Sequence, residues 1–178
     1  MGEGNAANAL RVALADQKPA LVLTCGFAGG LKPELREGQV IFSTEEAELQ
    51  KALSAEGAQP ARFYCANRVA ATAEEKRSLR QVTGADAVEM ESAVICGFCK
   101  GHGVPSAIVR VVLDEAQQDL PLDFNRVMTG KQEMDYTMLA LALVRKPGLI
   151  PALLRFQKQA RSAAEVLADC LTRVIARL

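Results

Sequence analysis

Tryptophan is absent from this 178-residue chain, and it holds only two tyrosines and one histidine. The lone histidine, His102, lies between Gly101 and Gly103, where a helix-ending turn is the plain reading. No Ser-His-Asp arrangement can be built around it. Charge of one sign is also missing: 21 Lys and Arg balance 21 Asp and Glu. No basic patch stands out as a nucleic-acid footprint, so no nucleic-acid partner is expected. No apolar run reaches the roughly 18 residues of a membrane span. The opening residues do not read as a signal peptide. Cysteines number five, an odd count scattered through apolar segments, which reads as reduced thiols and a cytoplasmic location. Cys96 and Cys99 form a C-x-x-C inside a helical pattern with no second Cys or His pair nearby, so no metal is expected.

What is present suffices for a core: 49% of residues are hydrophobic, and the length suits one domain over 1–178. Asn5 to Leu14 reads as a helix. Ala20 to Thr24 reads as a short strand running into a tight turn at Gly26, Gly29 and Gly30. Val40 to Ser43 reads as a strand, and 44–61 as helix or loop. Ala61 to Ala66 reads as a short strand, Ala73 to Gln81 as a charged helix, Val88 to Lys100 as a helix, and Ser106 to Leu113 as a buried strand. This alternation predicts an α/β sheet. From about 134 the chain is helical: Met134 to Arg145, then Pro151 to Leu178, separated by Lys146-Pro-Gly148. Arg145, Lys146, Arg155, Lys158 and Arg161 leave two readings of this tail. It is either a set of covering helices or a basic amphipathic surface that meets a membrane or lipid-like substrate.

Acidic residues inside apolar stretches need a reason, because a carboxylate buried without a partner costs several kcal/mol or more. Glu89 and Glu91 stand at the start of VEMESAVICGFC, and Asp114 ends SAIVRVVLD. Strand ends beside helix starts are where α/β sheets place ligands, so these carboxylates are expected to meet at one cleft. The plain alternative is a first-turn Glu favoured by the helix dipole and an Asp capping a turn. Arg110 is a candidate partner for Glu89.

Thr24-Cys-Gly-Phe-Ala-Gly-Gly-Leu31 with Gly38-Gln-Val-Ile41, then Val88-Glu-Met-Glu-Ser92, then Arg110-Val-Val-Leu-Asp114, resemble in this order the nucleoside phosphorylase and nucleosidase superfamily. The resemblance spans about Gly2 to Phe124. Val69 to Lys76 leading into Thr83-Gly-Ala85 looks most like its hopanoid-associated branch. The resemblance implies a three-layer αβα fold with a central mixed sheet flanked by helices. It implies cleavage of the N-glycosidic bond of a purine, adenine-type nucleoside, by water or by inorganic phosphate as co-substrate, with no other cofactor. Asp114 matches the acid beside the purine N7, Glu91 the carboxylate that grips two ribose hydroxyls, and Met90 the residue packed beneath the sugar. Glu89, Phe27, Gly26 and Ala28 would line the same pocket. Stacking on the base would fall to Phe27, Phe63 or aliphatic side chains. Family members are commonly oligomers, which implies a homo-oligomer.

Two departures qualify these implications. The positions where family phosphorylases hold phosphate fall on Thr24 and Phe27, which favours water as nucleophile, although backbone N–H groups from Gly26 to Gly30 would still offer an anion nest. Family hydrolases often carry a Ser before the acid, where this chain has Leu113. The resemblance also begins after the family's first strands, which supply phosphate ligands or a water-activating Glu. Two alternatives therefore stand beside an active enzyme: a nucleoside-binding protein without turnover, and a hopanoid-pathway enzyme that releases adenine from a lipid-linked adenosyl group.

Overall fold

The computed structural model describes residues 18–129 and 134–178; the Asn5–Leu14 helix and the residues before it lie outside them. The elements run β1 (Val22–Gly30), β2 (Val40–Thr44), α1 (Ala47–Ala55), β3 (Gln59–Pro60), β4 (Phe63–Cys65), α2 (Ala73–Thr83), β5 (Ala87–Glu89), α3 (Ser92–Gly101), β6 (Ser106–Asp114), a 3₁₀ turn (Phe124–Val127), α4 (Tyr136–Arg145) and α5 (Leu149–Ile175). The strands form one six-stranded mixed sheet in the order β3-β2-β6-β1-β5-β4. β1 and β6, the two longest strands, pair in parallel at its centre from Val22↔Ser106 onward. β2 runs antiparallel to β6 and β5 antiparallel to β1.

Side chains alternate across the pleat, and the core divides accordingly. Val40 and Phe42 of β2 join Ala107, Val109 and Val111 of β6 in one apolar cluster, while Ile41 and Val112 join a second. The first cluster is closed by Leu49 and Leu53 of α1 and by Ala163, Leu167, Cys170 and Val174 of α5. Thus the C-terminal half of α5 is a covering helix, as one reading of the tail expects.

Three boundaries differ from the sequence reading in ways that matter for the site. Gly26, Gly29 and Gly30 are not a turn: β1 continues through them, and none has positive φ. The expected anion nest is therefore replaced by a strand ladder with β6, whose register slips once, between Ala28 and Gly29. Glu89 does not open a helix either. It ends β5, and α3 begins only at Ser92. Phe63 packs with Ala28, Leu35 and Ile41 in the second cluster, so it is not a stacking surface. His102 does end α3, with its ring stacked on Phe98 at 4.2 Å.

α2 starts on a capping box. The Thr72 hydroxyl accepts from Glu75 N–H (3.2 Å), and the Glu75 carboxylate accepts from the N–H of Thr72 (3.2 Å) and of Ala71 (2.8 Å). Reciprocal satisfaction of first-turn donors fixes where this helix begins, and with it the depth of Lys76 one residue on.

Candidate active site

The C-terminal ends of β1 and β6 lie side by side, with the short β5 antiparallel beside β1, and a cavity of about 370 Å³ opens there. Phe27, Ala28, Glu89, Met90, Glu91 and Asp114 all line it. Of the sequence-derived candidates only Gly26 does not. Gly26 instead pairs in register with Arg110, and the guanidinium lies over it, Nε 3.8 Å from where a Cβ would stand. A larger groove of about 450 Å³ opens between Tyr64 and α2. It has no buried carboxylate, so the smaller cavity is where the chemistry concentrates.

Two buried ion pairs form its floor. Glu89 meets Arg110 Nη2 at 2.9 Å, with both side chains almost fully buried. Arg110 also donates to Thr24, through Nη1 to the carbonyl oxygen (2.6 Å) and Nη2 to Oγ1 (2.9 Å). The second Glu89 oxygen accepts from Ser92 Oγ (2.6 Å), while Oε2 accepts from the N–H groups of Ser92 (2.8 Å) and Glu91 (3.0 Å). Burial acts to raise the Glu89 pKa. The hydrogen bonds from Ser92 and Glu91 and the Arg110 charge outweigh it and hold the group below the usual carboxylate range. Glu89 is therefore a brace that fixes the Met90-Glu91 link at the entry of α3. Arg110 is its counter-ion, the role expected of it as an alternative. Thr24 is bound to that guanidinium.

The second pair is Asp114 with Lys76, which the sequence reading did not find. Lys76 has no solvent exposure. Its ammonium sits against Asp114 Oδ2 and donates to the carbonyl oxygens of Glu115 (2.8 Å) and Gln118 (2.7 Å). Both the charge and the hydrogen-bonding capacity of the Lys76 ammonium act on the Asp114 carboxyl. Burial pushes the Asp114 carboxyl above its ordinary value, and Lys76 offsets only part of that. Gly29 leaves the space for this carboxyl: a Cβ there would stand 3.3 Å from Oδ2 and 3.3 Å from Val88 Cγ1.

The opposite wall comes from loops. Asn125 in the 3₁₀ turn clasps Val69, accepting from its N–H (2.9 Å) and donating to its carbonyl (2.9 Å). This brings Phe124 to the cavity, 5.6 Å centroid to centroid from Phe156 of α5. These two rings supply the aromatic surface beside Phe27. Nothing in their sequence spacing marks them, because the loop and the helix meet only in three dimensions. Among the described residues no group of three or more His, Cys, Asp or Glu side chains is placed to hold a metal ion.

A family model of the phosphorylase superfamily matches residues 47–146. The chain belongs to the phosphorylase superfamily. Curated relatives include the 5′-methylthioadenosine/S-adenosylhomocysteine nucleosidase of Actinobacillus succinogenes, 28% identical over 80% of this chain and 77% of that protein. The nucleosidase of the same name from Glaesserella parasuis is 29% identical over 71% of each. Among solved structures, Helicobacter pylori futalosine hydrolase matches with TM-score 0.71 at 16% identity, covering 100% of this chain and 77% of that one. Campylobacter jejuni 5′-methylthioadenosine/S-adenosylhomocysteine nucleosidase matches with TM-score 0.72 at 16% identity, covering 100% and 78%. These likenesses share the mixed sheet and its flanking helices, and the phosphorylase-superfamily chain is a nucleosidase or phosphorylase by family.

Proposed function

We propose that this superfamily member cleaves the N-glycosidic bond of an adenine-type nucleoside, with Asp114 protonating the departing base. The observation that carries the reading is a buried carboxyl with a raised pKa facing a cavity that Met90 and Glu91 also line. As the bond from the anomeric carbon to the base breaks, its electron pair moves to the base, and the proton of Asp114 passes to the base nitrogen, N7 in the resemblance. A positioned acid of this kind contributes typically about 10²–10⁴ in rate. The proton leaves an Asp114 carboxylate, and the Lys76 ammonium stabilises that anion where it forms. Lys76 is a positioning residue on this account, acting through Asp114. Glu91 accepts hydrogen bonds from the ribose hydroxyls, each charge-assisted bond worth about 1.5–3 kcal/mol. Met90 packs under the sugar.

Water is the nucleophile in this reading: its oxygen bonds to the anomeric carbon as the base departs, and the proton it loses passes to solvent, from which Asp114 is reprotonated. Thr24 is bound to Arg110, and Phe27 offers no charge or donor to an anion. The relatives named above, all nucleosidases or hydrolases, support the same choice.

The test is adenine release from methylthioadenosine and adenosine, each with and without phosphate. Release without phosphate is expected, falling about 10²–10⁴-fold in Asp114→Asn. Release only with phosphate would overturn the water reading. Undiminished turnover in Asp114→Asn would overturn the acid assignment.

A further inference from the structure

Residues 136–164 hold five cationic side chains, Arg145, Lys146, Arg155, Lys158 and Arg161, and no Asp or Glu. The chain as a whole is neutral, so this stretch is a local concentration of positive charge. Arg161 pairs with Glu165. Among the described residues the other four meet no carboxylate within ion-pair distance.

Much of the apolar surface of this stretch is exposed. No residue of α4 is buried, and the buried residues of α5 begin only at Ala163. Tyr136 is 77% exposed, Val144 79%, Leu154 60% and Ile150 45%. Ile150, Leu154 and Lys158 fall at four-residue spacing, on one face of α5. The elbow Lys146-Pro-Gly148 joins the two helices, so the free apolar side chains of both flank its cations. Exposed apolar side chains rimmed by cations are the composition of a contact site.

We propose that the α4–α5 elbow docks the protein on an anionic lipid bilayer surface. An interfacial helix pair needs apolar side chains that enter the headgroup boundary and basic side chains that reach back to lipid phosphates. Here the two kinds alternate along one projecting feature. Arg and Lys stems bury their methylenes while the charge stays at the surface, which suits Arg145, Lys146 and Arg155 beside Val144 and Leu154. Charge selects this occupant over a second copy of the chain. A two-fold contact would set the same patch against itself, four unpaired cations against four. Phe156, two residues beyond Leu154, lies on a different face of α5 and lines the cavity with Phe124, so the docking face and the cavity use different sides of the helix. This inference does not depend on the proposed reaction.

The experiment is flotation of the full chain with vesicles of phosphatidylcholine mixed with phosphatidylglycerol, and with phosphatidylcholine alone. The protein floats with the anionic vesicles, and binding is at least about tenfold weaker with neutral vesicles or at high salt. Arg145→Glu with Lys146→Glu and Arg155→Glu loses binding by a similar factor. Val144→Asp with Leu154→Asp loses it also while every cation remains. All substitutions are at exposed positions, and circular dichroism checks that they fold. No flotation with anionic vesicles, or binding unchanged in both variants, overturns the proposal. So does a dimer, seen by sedimentation, that the Val144 and Leu154 substitutions abolish without any vesicle binding in the parent; that result makes the face an interface between copies.

Discussion

Replacing Lys76 with methionine tests the floor of the site most directly. Methionine keeps much of the stem's bulk but none of its donors. Three oxygens then lose the ammonium: the Asp114 carboxylate and the carbonyls of Glu115 and Gln118. Each stranded carbonyl costs about 1–3 kcal/mol, and the buried carboxylate adds its unpaired charge. Against this stands the desolvation of an ammonium that no longer has to be buried. Breaking a buried pair by removing one partner costs on balance about 3–5 kcal/mol. For a domain of this length that lowers Tm by roughly 6–20 °C. The loss also has a pH signature. The Asp114 pKa is raised in the folded protein, so its contribution to stability is fully present below its unfolded value, near about 4, and is lost as pH rises through the folded value. Without Lys76 the one charge that holds this value down is gone, and the folded pKa climbs further. The deficit of Lys76→Met relative to the parent therefore widens as pH rises above the parent's folded Asp114 pKa and narrows in acid. Urea unfolding followed by far-ultraviolet circular dichroism at several pH values measures this. A deficit under about 1 kcal/mol, or one that does not change with pH, refutes the reasoning. In the activity assay the basic limb of the pH profile shifts to higher pH, which a merely structural role would not produce.

Two further outcomes follow from the same geometry. Arg110→Met strips Glu89 of its counter-ion but leaves the Ser92 and Glu91 donors, so it destabilises by about 3 kcal/mol. Because the folded Glu89 pKa is depressed, the stability it supplies is present above the unfolded value and lost as pH falls through the folded one; a smaller acid-induced loss in the variant than in the parent, by urea titration, is the check, and equal acid sensitivity sinks it. Gly29→Ala places a methyl 3.3 Å from Asp114 Oδ2. It displaces the carboxyl by a few tenths of an ångström, and kcat falls by about tenfold or more with little change in KM, an effect absent if the acid lies elsewhere.

Much of the site was legible because its chemistry is carried by residues out of place. Glu89 and Asp114 are carboxylates in apolar stretches, and each is buried and paired in the fold. Arg110, a cation in a strand of Val and Ile, pointed to a partner for the same reason. Lys76 escaped notice because Glu74-Glu75-Lys76-Arg77 reads as a solvated helix face. Nothing local distinguishes Lys76, whose acceptor oxygens belong to Asp114, Glu115 and Gln118, from its neighbours in sequence. The glycines misled for the opposite reason. Glycine permits a turn, but at 29 its use is the missing Cβ beside Asp114 and Val88.

Hydrophobic periodicity and the cost of burying charge act along a local stretch, so an α/β chain with carboxylates at its strand ends can be read from short segments. Which cation meets which carboxylate, which aromatics reach the cavity, and which half of α5 is covered follow from the folded arrangement. Those outcomes depend on the register of β1 against β6 and on how loops close over the strand ends. Register and loop closure are set by contacts between residues tens of positions apart, and no short-range pattern encodes them.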